Sequence, residues 1–240
     1  MWTAVRKLAV DIVLSVNPSA DRPEAGPPPR LAWGSLSRTQ IVEAALRIAR
    51  REGMQALTTR RLASDLGASR MALYRHVPSK DALIDLVMDA IAEHEVVPPG
   101  IDEGPWPRRL RLLAVSIRRE LAAYPGLAEI VTTRVHHGPG ALRTVEAILR
   151  ILAEAGLDER RTGLYYMVFL DLVLGRIHRE LHGDPARLHL TASLGADRRG
   201  HEHPRLNAAE PHLSAITADE IFDTELDMLI GAIEAAGRTS

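Results

Sequence analysis

The stretch from Thr58 to Lys80, TTRRLASDLGASRMALYRHVPSK, decides how this chain is read. Thr58-Thr59 opens a short helix with Leu62, Ala63 and Leu66 turned inward, and Gly67 makes the turn that follows. Ser69 is a good N-cap for a second short helix through Met71, Leu73 and Tyr74 to Val77, where Pro78 breaks the chain. Short helices over Thr59–Leu66 and Ser69–His76, joined by a glycine turn, have the shape of a helix-turn-helix. Residues 57–80 carry Arg60, Arg61, Arg70, Arg75 and Lys80 against a single acid, Asp65. Side chains at the start of such a second helix can enter a DNA major groove about 12 Å wide and read base edges. Arg70 stands there with two donors for a guanine. Tyr74, His76 and Lys80 stand near the backbone as phosphate contacts, which position a protein without specifying sequence. The plainer alternative is a solvated helix pair with a basic face.

On either side the pattern stays helical. Ser37-Arg38-Thr39-Gln40 is a capping box, followed by the stripe Ile41, Ala44, Ala45, Ile48 and Ala49 and a stop at Gly53. Ser79 caps a further helix with Ala82, Leu83, Leu86, Val87, Ala90 and Ile91 inward. Ahead of Ser37, residues 17–36 hold five prolines, which reads as a flexible or polyproline extension over residues 1–36. The apolar run Leu8–Leu14 after Arg6-Lys7 is interrupted by Asp11 and lacks a small-residue cleavage site, which argues against export. With no run near ~18 apolar residues, the expectation is a cytoplasmic protein with no membrane partner.

Charge divides the chain. Residues 1–80 hold 13 Lys/Arg against 6 Asp/Glu, whereas residues 81–240 hold 17 against 25, so a net charge of −1 conceals a basic front and an acidic rear. That asymmetry suggests a polyanion-binding end joined to a body with another job. Arginine supplies 28 of the 30 basic residues, so arginine count alone carries little weight.

The rear reads as more helices. Pro107–Tyr124 carries Leu110, Leu113, Ala114, Ile117 and Leu121 on one side, Leu127–Thr133 is short, and Ala141–Ala155 carries Leu142, Val145, Ile148, Leu149 and Leu152. Arg161–Leu181 is apolar over more than one narrow stripe, which predicts two buried faces, one toward its own body and one toward a partner chain. Residues 183–215, rich in Gly, Pro, His and Arg, read as a long mobile loop, and Gly138-Pro139-Gly140 as a turn. A last helix, Ala218–Ala236, carries Ile221, Phe222, Leu226, Leu229, Ile230 and Ile233. An operator read by two recognition helices about one DNA turn apart needs a dimer.

Residues 36–83 strongly resemble the tetracycline-repressor (TetR) family of transcriptional regulators, above all in Leu73-Tyr74-Arg75-His76-Val77 followed by Lys80 and Leu83. The rear resembles the tetracycline-repressor branch in Trp106, in Tyr124-Pro125-Gly126 and in the late run Phe222, Leu226, Leu229-Ile230-Gly231. The resemblance implies an all-α fold, with a three-helix DNA-binding domain at 37–83 and a ligand-binding and dimerisation body at 84–240. It implies phosphate and base contacts from Thr59 and Arg60, base reading by Arg70, Met71 and Ala72, and phosphate contacts by Tyr74, His76 and Lys80. It also implies pairing of the last two long helices between subunits, and an effector pocket among the helices of 107–181. Candidate lining residues are Leu113, Ile117, Ile130, Thr133, Leu149, Tyr165 and Phe169, each of which helical spacing alone would place in an ordinary core. Tetracycline repressors hold a magnesium–drug chelate with a histidine three residues before a Thr-Arg pair. Here Ile130 precedes Thr133-Arg134, so the expected effector is more apolar or uncharged.

Other chemistries find little support. Cysteine is absent, which excludes disulfides and thiolate chemistry. No glycine-rich phosphate loop follows a strand, and no serine sits in a nucleophile elbow. His178 and His182 are spaced to share a metal, and His189, His201, His203 and His212 add to a histidine-rich region, so a metal-dependent hydrolase is the alternative from another class. The zinc-protease pattern needs Glu directly after the first His, and Arg179 stands there instead. The expectation is therefore a homodimeric, ligand-responsive regulator of double-stranded operator DNA, with a small-molecule effector, no metal, no cofactor and no catalysis. A repressor is favoured over an activator of the same fold.

Overall fold

A computed structural model of the chain describes residues 36–134, 138–183 and 204–238, and every regular element among them is helical. Helix α1 (Arg38–Glu52) starts on the capping box, with the Ser37 hydroxyl accepting from the Gln40 N–H at 3.2 Å and the Ser37 N–H donating to the Gln40 side chain at 2.9 Å. Its buried face is the expected stripe Ile41, Ala44, Ala45, Ile48 and Ala49. Helix α2 (Thr59–Asp65) packs on α1, α3 (Arg70–Tyr74) packs on α2, and α4 (Lys80–Ile91) packs along α1 and runs into the body. Leu62, Leu73, Val77, Leu83 and Val87 close the small core of this head.

The body consists of α5 (Trp106–Ala123), α6 (Leu127–Thr133), α7 (Pro139–Ala153), α8 (Glu159–His182), α9 (Pro204–Ala215) and α10 (Ala218–Gly237). Its core is continuous with that of the head through α4, and includes Leu110, Leu113, Ile117, Ile148, Ile151, Phe169, Val173, Phe222 and Leu226. At its end α4 widens into a π-turn, Ala92–Val96. Such a turn shifts side-chain phase within a helix and often marks a functional site.

Three expectations change. Residues 183–215 are not one loop, because Pro204–Ala215 form α9. Pro204 fits a first helical turn, and the intervening alanines and leucine favour helix more than the regional Gly, Pro and His content suggests. Gly138-Pro139-Gly140 is a helix start rather than a free turn, with Gly138 as N-cap and Pro139 in the first turn of α7. Starting there turns Leu142 outward, and it is 57% exposed. Helix α3 ends at Tyr74, and its chain continues as a turn in which the His76 and Val77 N–H groups both donate to the Leu73 carbonyl at 2.9 Å. Pro78 disfavours helical geometry at the residue before it. Residues 1–35, with the extension expected there, and His189, His201 and His203 lie outside the described residues. Among the described residues no helix is long and apolar enough to cross a membrane.

Behind α1, head and body are clipped together at a polar joint. The Met54 N–H donates to the Pro125 carbonyl at 2.8 Å, and Gly53 approaches the same carbonyl with no room for a bulkier backbone neighbour. Beside it Arg50 donates to Glu95 at 2.7 Å and to the Tyr124 hydroxyl at 3.0 Å, so a head residue is held by the π-turn and by the end of α5.

Candidate nucleic-acid interface and interior cavity

The outer face of the head is built by caps. Thr58 caps α2 by accepting from the Arg61 N–H at 3.1 Å. The helix ends in a six-to-one closure, Ala68 N–H to the Ala63 carbonyl at 3.0 Å, with Gly67 in the left-handed region at φ 60°. Ser69 then caps α3 by accepting from the Ala72 N–H at 3.1 Å. These caps fix the angle between α2 and α3, and burial of Leu73 and Val77 fixes which face of α3 looks out. Arg70, Tyr74, Arg75, His76 and Lys80 are exposed, and Met71 is 78% exposed, although a thioether gains nothing from water. Ala72 and Thr59 are half-buried and Arg60 is exposed at the start of α2. The Thr59 hydroxyl lies 3.5 Å from the Tyr74 hydroxyl, which brings two neutral donors to one point between the helices.

Charge pairing separates the arginines. Arg61 is turned back onto Glu52 at 2.7 Å and Asp65 at 3.5 Å, and Arg47 also reaches Asp65 at 3.2 Å. Arg60, Arg70, Arg75 and Lys80 have no ion-pair partner among the described residues. Those four therefore keep their full charge for an outside anion. Lys80 is the first residue of α4, capped by Ser79, where free N–H groups and the positive end of the helix favour a phosphate. Together these residues form a cationic rim around the protruding start of α3.

Inside the body lies a cavity of about 430 Å³. Its wall is contributed by Met88 and Ile91 of α4, Ala92 and Val96 of the π-turn, Ile117 and Leu121 of α5, α6 with Arg134 after it, Ala141 to Ile148 of α7, and Tyr166, Leu170 and Leu174 of α8. Of the residues expected to line a pocket, Ile117 and Thr133 do so. Leu113 and Phe169 are fully buried in the core instead. Ile130 packs against that core, Leu149 is half-buried off the wall, and the Tyr165 hydroxyl donates to the Ala232 carbonyl of α10 at 3.3 Å. Sequence reasoning missed the α4 and π-turn side of the wall, since it began the pocket at residue 107. The available signal was the apolar surplus of α4, where Met88 and Ile91 continue into Ala92 and Val96. Among the described residues the wall carries no histidine, aspartate or glutamate, in keeping with Ile130 at the position that tetracycline repressors give to histidine.

His178 and His182 stack at 4.4 Å between ring centroids on the open face of α8, with His182 Nδ1 2.9 Å from the His178 carbonyl. Among the described residues no group of three or more metal-capable side chains gathers around them. The same helix exposes a row of large apolar side chains, Leu164, Met167 and Val168, and α10 exposes Met228.

Comparison with known proteins agrees with this architecture. Residues 41–87 match the profile of bacterial regulatory proteins of the tetR family, and residues 98–236 match the tetracyclin repressor-like C-terminal domain. The HTH-type transcriptional repressor DrrR1 of Streptomyces coeruleorubidus is 32% identical over 168 residues, which cover 69% of this chain and 59% of that protein. The class C tetracycline repressor protein of Escherichia coli is 29% identical over 83% of this chain and 91% of its own length. Apo ActR of Streptomyces coelicolor superposes with a TM-score of 0.73 at 26% identity, covering 87% of this chain and 99% of its own. ActR in complex with actinorhodin gives a TM-score of 0.68 at 26% identity, over 84% of this chain and 98% of that one. On the two profile matches, which together run from the first head helix to the last body helix, the chain belongs to the TetR family.

Proposed function

We propose that this protein is a homodimeric transcriptional repressor that binds operator DNA through residues 37–83 and is released by a small molecule held in the body, residues 84–240. The observation that carries the reading is the rim of Arg60, Arg70, Arg75 and Lys80. These cations have no partner among the described residues and surround an exposed helix start, while Arg61 beside them is neutralised. In this reading Arg70, Met71 and Ala72 face base edges, and Thr59, Arg60, Tyr74, His76 and Lys80 hold phosphates. The cavity is the effector site, reached by Ile117 and Thr133 among the residues first expected there. The Ala92–Val96 turn belongs both to the cavity wall and to the joint with the head, so occupancy can bias the spacing of two heads without touching DNA.

DrrR1 and the class C protein are named repressors, and ActR has been solved with actinorhodin and with (S)-DNPA, which supports both halves of the reading. A regulator of this kind acts in the cytoplasm and needs no catalytic residue. The test is selection of bound genomic fragments by the purified chain, followed by titration of the recovered fragment over a range of salt. The expected result is binding of one dimer per site that weakens steeply as salt rises, because each phosphate contact releases counterions. Binding that ignores salt, or no fragment enriched at low salt, overturns the reading.

A further inference from the structure

Arg134 belongs to two places at once. It forms part of the cavity wall next to Thr132 and Thr133, and its guanidinium also reaches out of the body to α4, pairing with Asp81 at 3.0 Å and Asp85 at 3.2 Å. The other polar groups of the wall are limited in what they offer. The Thr132 hydroxyl donates to the Ala128 and Glu129 carbonyls, Thr133 to Glu129 and Thr144 to Gly140, so each hydroxyl proton is used within its own helix. Tyr166 has no hydrogen-bond partner among the described residues, and burial raises its pKa, which keeps its proton in place as a donor. Among the described residues the wall thus combines one permanent cation and one neutral donor with apolar surface, and offers no anion.

Resting on the reading of this cavity as the effector site, we propose that the effector is an apolar, ring-sized molecule bearing one acidic oxygen function. Arg134 receives that oxygen and in doing so gives up Asp81 and Asp85. A carboxylate meets a guanidinium through two parallel hydrogen bonds, the geometry that favours arginine over lysine. At the cavity wall the Arg134 side chain is itself only 32% exposed, so a pair made there is less open to water than those on Asp81 and Asp85. The competing pairs lie on exposed carboxylates, 75% exposed at Asp81 and 44% at Asp85, where ion pairs contribute little. A cationic ligand would find no counter-charge among the described residues of the wall.

The exchange carries information to the DNA face. Asp81 follows Lys80 directly, and both stand in the first turn of α4. While Arg134 neutralises Asp81 and Asp85, the first turn of α4 presents Lys80 to a phosphate. Once Arg134 turns to the effector, the Asp81 carboxylate opposes the same phosphate, and Arg134 no longer ties the body to the start of α4.

The experiment uses the full-length dimer, the selected DNA fragment and three fluorescent probes: anthracene-2-carboxylic acid, its primary amide and 2-(aminomethyl)anthracene. Wild type should bind the acid about ten-fold or more tighter than the amide, as a charge-assisted pair implies, and bind the amine least. The acid should release DNA at lower concentration than the amide. In Arg134→Met the amide should bind as in wild type, which shows that the cavity is intact, and the preference for the acid should vanish. In the double variant Asp81→Asn, Asp85→Asn the acid should still bind but release DNA less. Equal binding of acid and amide by wild type, or a preference that survives Arg134→Met, overturns the effector class. Equal release from the double variant overturns the exchange of ion pairs. Failure of all three probes to bind overturns the reading of the cavity itself.

Discussion

The Tyr124 hydroxyl donates to the Glu95 carboxylate at 2.8 Å, joining the end of α5 to the π-turn at the point where the head is seated. Arg50 of α1 completes the group by donating to both, and its guanidinium lies 4.8 Å from the Tyr124 ring centroid. Burial, reinforced by Glu95, pushes the Tyr124 phenol well above its usual range, so it acts as a donor at any ordinary pH. The cavity touches this group through Ala92 and Val96, which flank Glu95 in the same turn. This polar node therefore joins the wall of the cavity to the first helix of the head.

Tyr124→Phe removes the hydroxyl that donates to Glu95 and accepts from Arg50, and leaves the exposed Arg50 to hold Glu95 directly. The expected cost is about 0.5–1.5 kcal/mol, the ordinary net value of such a bond. For a chain of this size that lowers the melting temperature by roughly 1–6 °C. DNA affinity without ligand should change less than the ligand concentration needed for release, because the node couples the sites and belongs to neither. Differential scanning calorimetry and a release titration on the same preparation check both expectations.

Arg70→Ala and Lys80→Ala should fail in different ways. Loss of Arg70 is expected to cost about 1–3 kcal/mol on the selected operator and to relax selectivity at one base pair. Loss of Lys80 should weaken all duplexes alike and reduce the slope of log affinity against log salt by about one. Fluorescence anisotropy on the operator and on singly substituted operators separates the two. A matching loss of slope without loss of selectivity in Arg70→Ala would move that residue to the phosphate backbone.

Much of this was legible before any coordinates. The Ser37, Ser69 and Ser79 caps and the stripe from Ile41 to Ala49 follow from residue chemistry alone, and each cap bond is present. The cavity was not legible in the same way. Ile117 faces it while Leu113, one turn earlier on the same stripe of α5, is sealed in the core, and spacing treats the two alike. Pairing was equally hidden. Arg60 and Arg61 are neighbours in sequence, yet only Arg61 is drawn back by Glu52, a partner nine positions away on another helix.

Gly140 sets how closely α7 can approach α4. A Cβ there would collide with the Asp89 carbonyl oxygen and lie 2.8 Å from the Glu93 nitrogen, and the Gly140 N–H donates to Asp89 at 2.6 Å. Both obstacles are backbone, so neither can swing aside. Gly140→Ala should push the start of α7 outward at a cost of about 1–3 kcal/mol, as overpacking commonly does. Ala141 and Thr144 line the cavity, so probe binding should weaken with it. Retention of both stability and probe affinity would mean that the helix start shifts freely.

Glu120 gives stability a pH dependence. Burial is the main cause of its raised pKa, opposed by Arg119 at 2.6 Å and reinforced by Glu95. A carboxyl whose folded pKa lies above its unfolded one binds its proton more tightly in the folded state. Its contribution is therefore fully present below the unfolded value, near 4.3, and is lost as pH rises through the folded value. Glu120→Gln cannot titrate, so the variant should gain stability relative to wild type as pH is raised from about 4 toward neutrality, through the interval between the unfolded and the raised folded pKa. Parallel urea titrations across that range check the sign, and a difference independent of pH would contradict it.

The dimer is expected to form on the outer faces of α8 and α10. Leu164, Met167 and Val168 are 52%, 54% and 40% exposed on α8, and Met228 is 70% exposed on α10, although none of them gains from water. Gly163, Gly175 and Gly231 on the same two helices have open space where a Cβ would stand, so a second pair of helices can approach closely. The double variant Met167→Glu, Val168→Glu places two charges on that face in each subunit. Their side chains meet mainly solvent within one chain, so helical content by circular dichroism should be unchanged. Sedimentation velocity should then report single chains at micromolar concentration. Operator affinity should fall by about 10²-fold or more, since a second head bound through its partner no longer acts at a high effective concentration. A variant that stays dimeric would place the interface elsewhere on the body.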